Sequence, residues 1–222
     1  MKYTLLFLMI FFSNAIIMVF EIIWIRILSP FIGGSIVTWG TIIGIILFSL
    51  SLWNYYGGKF ADRWYGVLYL KNLFLLASLL LFFLFFCNTV ILEYLSSHIK
   101  NLEMYVLISA TILFWPVSYL LWIVSPIVMK ILIHDIHQSG LMVGIASGVG
   151  ALWGIIGTII SGFVLIPYLG IHSIVFFLSF LSFFLSFLVA LSSWNTVRLF
   201  EKYIYIPGFF VYIYILIIMR FF

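Results

Sequence analysis

Residues 3–28 read YTLLFLMIFFSNAIIMVFEIIWIRIL, an apolar run whose only charged members are Glu21 and Arg26. A membrane-crossing helix needs about 20 predominantly apolar residues, and this run meets that length. Met1-Lys2 ahead of it imitates a signal peptide. The run is nevertheless too long for an h-region of about 7–15 residues, and its Trp24-Ile25-Arg26 tail lacks a small-residue cleavage pattern. It is expected to be a retained first transmembrane helix.

The whole chain follows the same pattern. Of its 222 residues 66% are hydrophobic and 7% charged, with a mean hydropathy of +1.34. A soluble domain carries about 25% charged residues, so this chain could not cover a soluble surface. The expected fold is all-α, a polytopic transmembrane bundle of about seven helices over 3–28, 36–56, 68–92, 104–133, 141–166, 174–191 and 203–219. No soluble domain is left over. Strands are a poor reading, because a barrel alternates apolar and polar residues whereas these runs are continuous. The breaks fall at Ser29-Pro30, Gly33-Gly34, Gly57-Gly58 and Pro167, and kinks are expected at Pro116 and Pro126.

Ten Lys and Arg against six Asp and Glu give a formal charge of +4. In a membrane protein this excess reports topology and is no argument for nucleic acid. With the N-terminus inside, Lys2, Lys59, Arg63, Lys71, Lys130, Arg198 and Lys202 fall on the cytoplasmic side; Arg26, Lys100 and Arg220 fall outside. The bias supports an inner (plasma) membrane protein with a cytoplasmic N-terminus. Pro207-Gly208 leaves open whether the seventh segment spans fully or is re-entrant.

Charged groups at membrane depth are costly and are functional candidates by default. Asn14 and Glu21 are seven residues apart and return to nearly the same helix face. Arg26 lies about 140° away from Glu21 and is no ideal intrahelical partner. Glu21 therefore either meets a group from another helix or is protonated. Glu21 and Arg26 either anchor packing or, with Asn14, form a proton- or substrate-binding site.

Two other stretches have a double reading. Gly57-Gly58-Lys59-Phe60-Ala61-Asp62-Arg63 is either a basic stop and turn, with Asp62 capping or pairing with Arg63, or a gating loop. In the fifth segment Gly144, Ser147, Ala151, Gly154, Thr158 and Ser161 recur at steps of three or four, with Gly148, Gly150, Gly157 and Gly162 beside them. Small residues so spaced permit close helix contact, and the same ridge is suited to lining a path. In the sixth segment phenylalanines spread around the helix, so much of it is expected to face lipid, while Ser179, Ser182 and Ser186 form a packing stripe. His134-Asp135-x-His137 matches zinc spacing poorly and is read as a solvated loop. The single cysteine, Cys87, is read as an inert thiol. No nucleotide-binding, metalloprotease or nucleophile-elbow motif occurs, so no cofactor, no metal and no catalytic set is expected.

Glu21-Ile22-Ile23-Trp24-Ile25-Arg26-Ile27-Leu28, followed by Pro30 and Gly33-Gly34-Ser35, resembles the first-helix motif of the membrane domain in fused, multi-pass spermidine synthase-like proteins. Gly57-Gly58-x-x-Ala61-Asp62-Arg63 resembles their second-to-third helix loop and the cytoplasmic signature of major facilitator transporters. Gly150-Ala151-x-x-Gly154, then Gly162 to Gly170, resembles the family's later small-residue helix. At the family's Asn-Thr positions stand Ser147 and Gly148. The likeness covers residues 10 to 190. The likeness does not extend to the aminopropyltransferase domain of the fused proteins, so these residues are expected not to transfer an aminopropyl group themselves.

The resemblance implies half of a facilitator-like fold and a small-solute or polyamine transport module. In that reading Glu21 neutralises an amine beside Asn14, with Asp62-Arg63 as a gate. Its expected partners are the lipid bilayer and, since a full facilitator has two six-helix halves, a second copy in a homodimer. The alternative is a non-catalytic scaffold that docks a separately encoded soluble aminopropyltransferase or other enzyme through Lys59, Arg63, Lys71, Lys130, Arg198 and Lys202.

Overall fold

Lipid offers the backbone no hydrogen bonds, so a chain this apolar satisfies its peptide groups within helices. The computed structural model describes residues 3–32, 36–63, 66–133 and 139–192, together with Tyr205, residues 207–212 and Ile215, and among the described residues there is no strand. The long helices are α1 (Tyr3–Ile32), α2 (Ile36–Arg63) and α3 (Val67–His98). In α4, Leu102–Ser109 passes through a π-helical stretch, Ala110–Phe114, into Trp115–Leu132. In α5, Ser139–Ile160 passes through a second, Ser161–Leu165, into Ile166–Tyr168. Last comes α6 (Ile171–Ser192). Helices α1, α3, α4, α5 and α6 are each long and apolar enough to cross a membrane. The expected seventh segment, 203–219, is described at Tyr205, 207–212 and Ile215, which are helical; its remainder lies outside the described residues. So do Lys2, Gly33-Gly34-Ser35, His134, Asp135, His137, Arg198, Lys202 and Arg220.

Several helix ends depart from the sequence reading for local reasons. Helix α1 continues past Ser29-Pro30 to Ile32. Proline there has no N–H for the Arg26 carbonyl, and the Ser29 hydroxyl donates to that oxygen instead, at 3.1 Å. Helix α2 runs through Gly57-Gly58 to Arg63, so the expected turn is helix. Gly57 serves close packing: a Cβ there would lie 3.2 Å from Pro126 Cγ. Both π-helical stretches end two residues before a proline, Pro116 and Pro167. In each, the residue that follows the stretch donates five residues back, Trp115 N–H to the Ala110 carbonyl and Ile166 N–H to that of Ser161. At Pro126 the helix stays α-helical.

Short connections make successive helices antiparallel. One side of the bundle, here called proximal, holds the start of α1, the ends of α2 and α4 and the starts of α3 and α5; the other side is distal. The pairs α2–α4 and α1–α5 are parallel, and α1–α4 is antiparallel. Helix α2 meets α4 through Trp53 on Tyr119 and Gly57 on Ile123 and Pro126. Helix α1 meets α4 through Phe20 stacked on Phe114, centroids 5.5 Å apart. It meets α5 along a glycine seam, in which Gly150 faces Asn14, Gly154 faces Met18 and Gly157 faces the Ala15 backbone.

The antiparallel pair α3–α6 is bonded at two levels. Ser186 Oγ donates to the Lys71 carbonyl and lies 2.8 Å from Tyr205 Oη. One heptad away, Ser179 Oγ donates to the Ser78 carbonyl, and Tyr212 Oη lies 2.8 Å from Ser78 Oγ. Gly208 sits between the two tyrosines, where a Cβ would be 2.9 Å from the Phe183 ring. Helix α6 is thus not the lipid-facing element its phenylalanines suggested: 61% of its apolar window is buried, against 17% for α5. Its serine stripe draws the α3 backbone close enough for Phe176 and Phe183 to be enclosed as well.

Candidate functional site

The loose attachment of α5 leaves a cavity of about 920 Å³ between α1, α2, α4 and α5. Its wall is largely apolar. Trp53 comes from α2, Trp122 from α4 and Met18 from α1, while Ser147, Ala151, Gly154 and Thr158 line it from α5. Asp62 and Lys130 line its proximal end and join in an ion pair at 2.8 Å. From Ser147 to Thr158 the α5 wall extends about 16 Å at 1.5 Å per residue, so the cavity reaches from the proximal rim past the middle of the helices.

Polar side chains in these helices mostly satisfy themselves. Ser13, Ser49 and Ser109 donate to carbonyls three or four residues back, as hydroxyls in membrane helices commonly do. Asn14 does so with one end only. Its Nδ2 donates to the Ile10 carbonyl at 2.9 Å, and that nitrogen is pressed against Gly150. Asn14 is part of the cavity wall, and its other hydrogen-bonding atom, Oδ1, is an acceptor with no partner among the described residues. Because Gly150 has no side chain, the Asn14 amide fits in the seam; a Cβ would lie 2.7 Å from it.

The expected site residues separate. Asn14 lines the cavity, whereas Glu21 is half-buried on α1 and is not part of the wall. Among the described residues Glu21 has no hydrogen bond or ion pair. Arg26 is exposed near the distal end. Of the expected gate, Gly58 and Asp62 line the cavity, Gly57 is buried against α4 and Arg63 is exposed. Asp62 pairs with Lys130 of α4 and not with its neighbour Arg63. On α5, Ser147, Ala151, Gly154 and Thr158 face the cavity; Ser161 is buried and donates to the Thr158 carbonyl. Gly144 is exposed with nothing within 4 Å of its Cβ position. The seam proper is carried by Gly150 and Gly157 with Gly154; of these the sequence reading had Gly154 on its ridge and Gly150 and Gly157 only beside it. The tryptophan walls had no signal beyond composition.

The Asp62–Lys130 pair is exposed, at 68% and 48% of side-chain area. Water screens such pairs, which contribute about 0–1 kcal/mol. Asp62→Asn is therefore expected to lower stability by less than about 1 kcal/mol, read as the thermal unfolding midpoint in detergent. A larger loss would make the pair part of the architecture and not a feature of the cavity rim.

Comparisons with protein-family models, with curated proteins and with solved structures find no significant match for this chain.

Proposed function

We propose that the chain is a membrane transport module for a small amine-bearing solute, similar in plan to half of a facilitator-type transporter and to the membrane domain of spermidine synthase-like proteins. The observation that carries this reading is the cavity itself, which enters from the proximal rim and reaches Asn14, about 16 Å along α1 at 1.5 Å per residue. Its depth offers an acceptor, and its walls offer aromatic faces. Cations are attracted to both, and a tryptophan face is worth about 0.5–2 kcal/mol to a bound cation.

The charge distribution supports an orientation. Lys59, Arg63, Lys71 and Lys130 are proximal, and Arg26 and Lys100 are distal. The positive-inside rule then makes the proximal side cytoplasmic and the cavity inward-open. The open flank between α2 and α5 supports a second copy as the missing wall, since Gly40, Gly44, Gly144 and Gly148 leave both faces without a neighbour within 4 Å of their Cβ positions. The scaffold alternative draws less support, because Lys71 is buried and Lys130 is engaged by Asp62.

Proteoliposomes holding the full chain are expected to accumulate labelled 1,4-diaminobutane or spermidine above protein-free vesicles, with unlabelled amine competing. Neither uptake nor equilibrium binding of any of a panel of mono-, di- and polyamines would overturn the reading.

A further inference from the structure

We infer that Glu21 is a second, deeper amine-binding position on the path that passes Asn14, and that Met18 is the barrier between the two in this conformation. The inference rests on the cavity being a solute path.

Asn14, Met18 and Glu21 follow one another at steps of four and three on one stripe of α1. The first two line the cavity; the third does not. Asn14 and Glu21 are about 10.5 Å apart along the helix at 1.5 Å per residue, with Met18 between them. The Met18 side chain lies across the seam onto α5, its Cγ and Sδ 3.5 and 3.9 Å from the position a Gly154 Cβ would take. The Gly150–Asn14 and Gly154–Met18 contacts put residue 157 level with Glu21 and the Gly157–Ala15 contact puts residue 163 there, so Glu21 lies at the level of residues 157–163 of α5. Thr158, in that turn, is among the last residues of the cavity wall. The carboxylate thus stands on the cavity's own stripe of α1, about one turn beyond Met18, the last residue of that helix in the cavity wall.

The side chains have the chemistry for these two roles. Methionine is unbranched and turns readily among rotamers, so it can block a narrow path in one conformer and clear it in another. A half-buried carboxylate at membrane depth is expensive to keep unless it meets a cation or a proton. An ammonium group leaving the Asn14 acceptor and passing Met18 meets Glu21 next. The first position is neutral; the second carries a carboxyl group and lies deeper.

The test is thiol accessibility in the full chain with Cys87→Ser as parent, using a membrane-impermeant methanethiosulfonate reagent on detergent-solubilised protein. Asn14→Cys is expected to react and Glu21→Cys to be protected. Adding Met18→Ala is expected to speed Glu21→Cys labelling by at least about tenfold, the size expected when a local block is removed, whereas Met18→Leu leaves it protected. Buried Ser13→Cys, next to Asn14, reports general loosening and is expected to stay unreactive in the Met18→Ala background. Glu21→Cys labelled equally with Met18 intact, unlabelled in Met18→Ala, or accelerated together with Ser13→Cys overturns the inference while the cavity stands. Unreactive Asn14→Cys removes the cavity reading and the inference with it. In flux, Glu21→Gln is expected to bind diamine within about twofold of the parent and to transport it at least about tenfold more slowly, the loss of one charge-assisted contact. Unchanged transport sinks the binding role of Glu21.

Discussion

Asn14→Leu is expected to weaken amine binding and uptake strongly while leaving a folded protein. The substitution removes Oδ1, the acceptor at the depth of the cavity. A hydrogen bond to a charged group contributes about 1.5–3 kcal/mol, so affinity should fall by roughly 10- to 150-fold at 1.4 kcal/mol per decade. The lost Nδ2 bond to the Ile10 carbonyl is intrahelical, and leucine is a good helix former, so the fold has little reason to fail. Equilibrium binding of labelled diamine measures the effect, and size-exclusion behaviour of the purified variant checks the fold. Binding within about threefold of the parent would place the solute elsewhere, since a lost charge-assisted bond is worth more than that.

Gly157→Leu should be the most destabilising single change in the α1–α5 seam. At this glycine a Cβ would meet the Ala15 carbonyl oxygen at 3.2 Å and the Ala15 Cα at 3.4 Å. Those are backbone atoms and cannot rotate away, in contrast to the Met18 side chain opposite Gly154. Overpacking costs about 1–3 kcal/mol where neighbours can adjust; here the loss should reach the top of that range, because α5 has few other attachments. Gly148→Leu is the control. It adds the same side chain to the same helix with nothing within 4 Å of its Cβ position and is expected to be neutral. A thermal midpoint for Gly157→Leu equal to that of Gly148→Leu would show that α5 does not depend on this seam.

The helices were legible because apolar runs of this length admit one solution in lipid, although α3 runs six residues past its expected end. Helix partners were not legible. Lipid tails are as apolar as leucine, so hydrophobicity does not separate a buried face from an exposed one. That is why α6, rich in phenylalanine, was read as lipid-facing although it is the most enclosed helix, and why α5 was read as a packing ridge although it is the most open. Gly57 was read as a turn because in soluble chains glycine most often supplies one; here it admits Pro126 and Ile123. The site was half legible. Helical periodicity placed Asn14 and Glu21 on one stripe, but it had no means of showing that Asn14 lines the cavity and Glu21 does not.

The two levels of bonding between α3, α6 and the seventh segment have a mechanical consequence. Lys71 and Ser78, Ser179 and Ser186, and Tyr205 and Tyr212 are each seven residues apart, about 10.5 Å at 1.5 Å per residue. Their hydroxyls meet only when all three segments are in step. A slip of one helical turn, about 5.4 Å, would break both levels together, so this half of the molecule behaves as a keyed shaft. The α1–α5 contact has no such hydrogen-bonded teeth: glycines touch a backbone and two side chains there, and Phe11 stacks on Trp153. In a working cycle the keyed half would stand still as the stator, and α5 would be the part that slides.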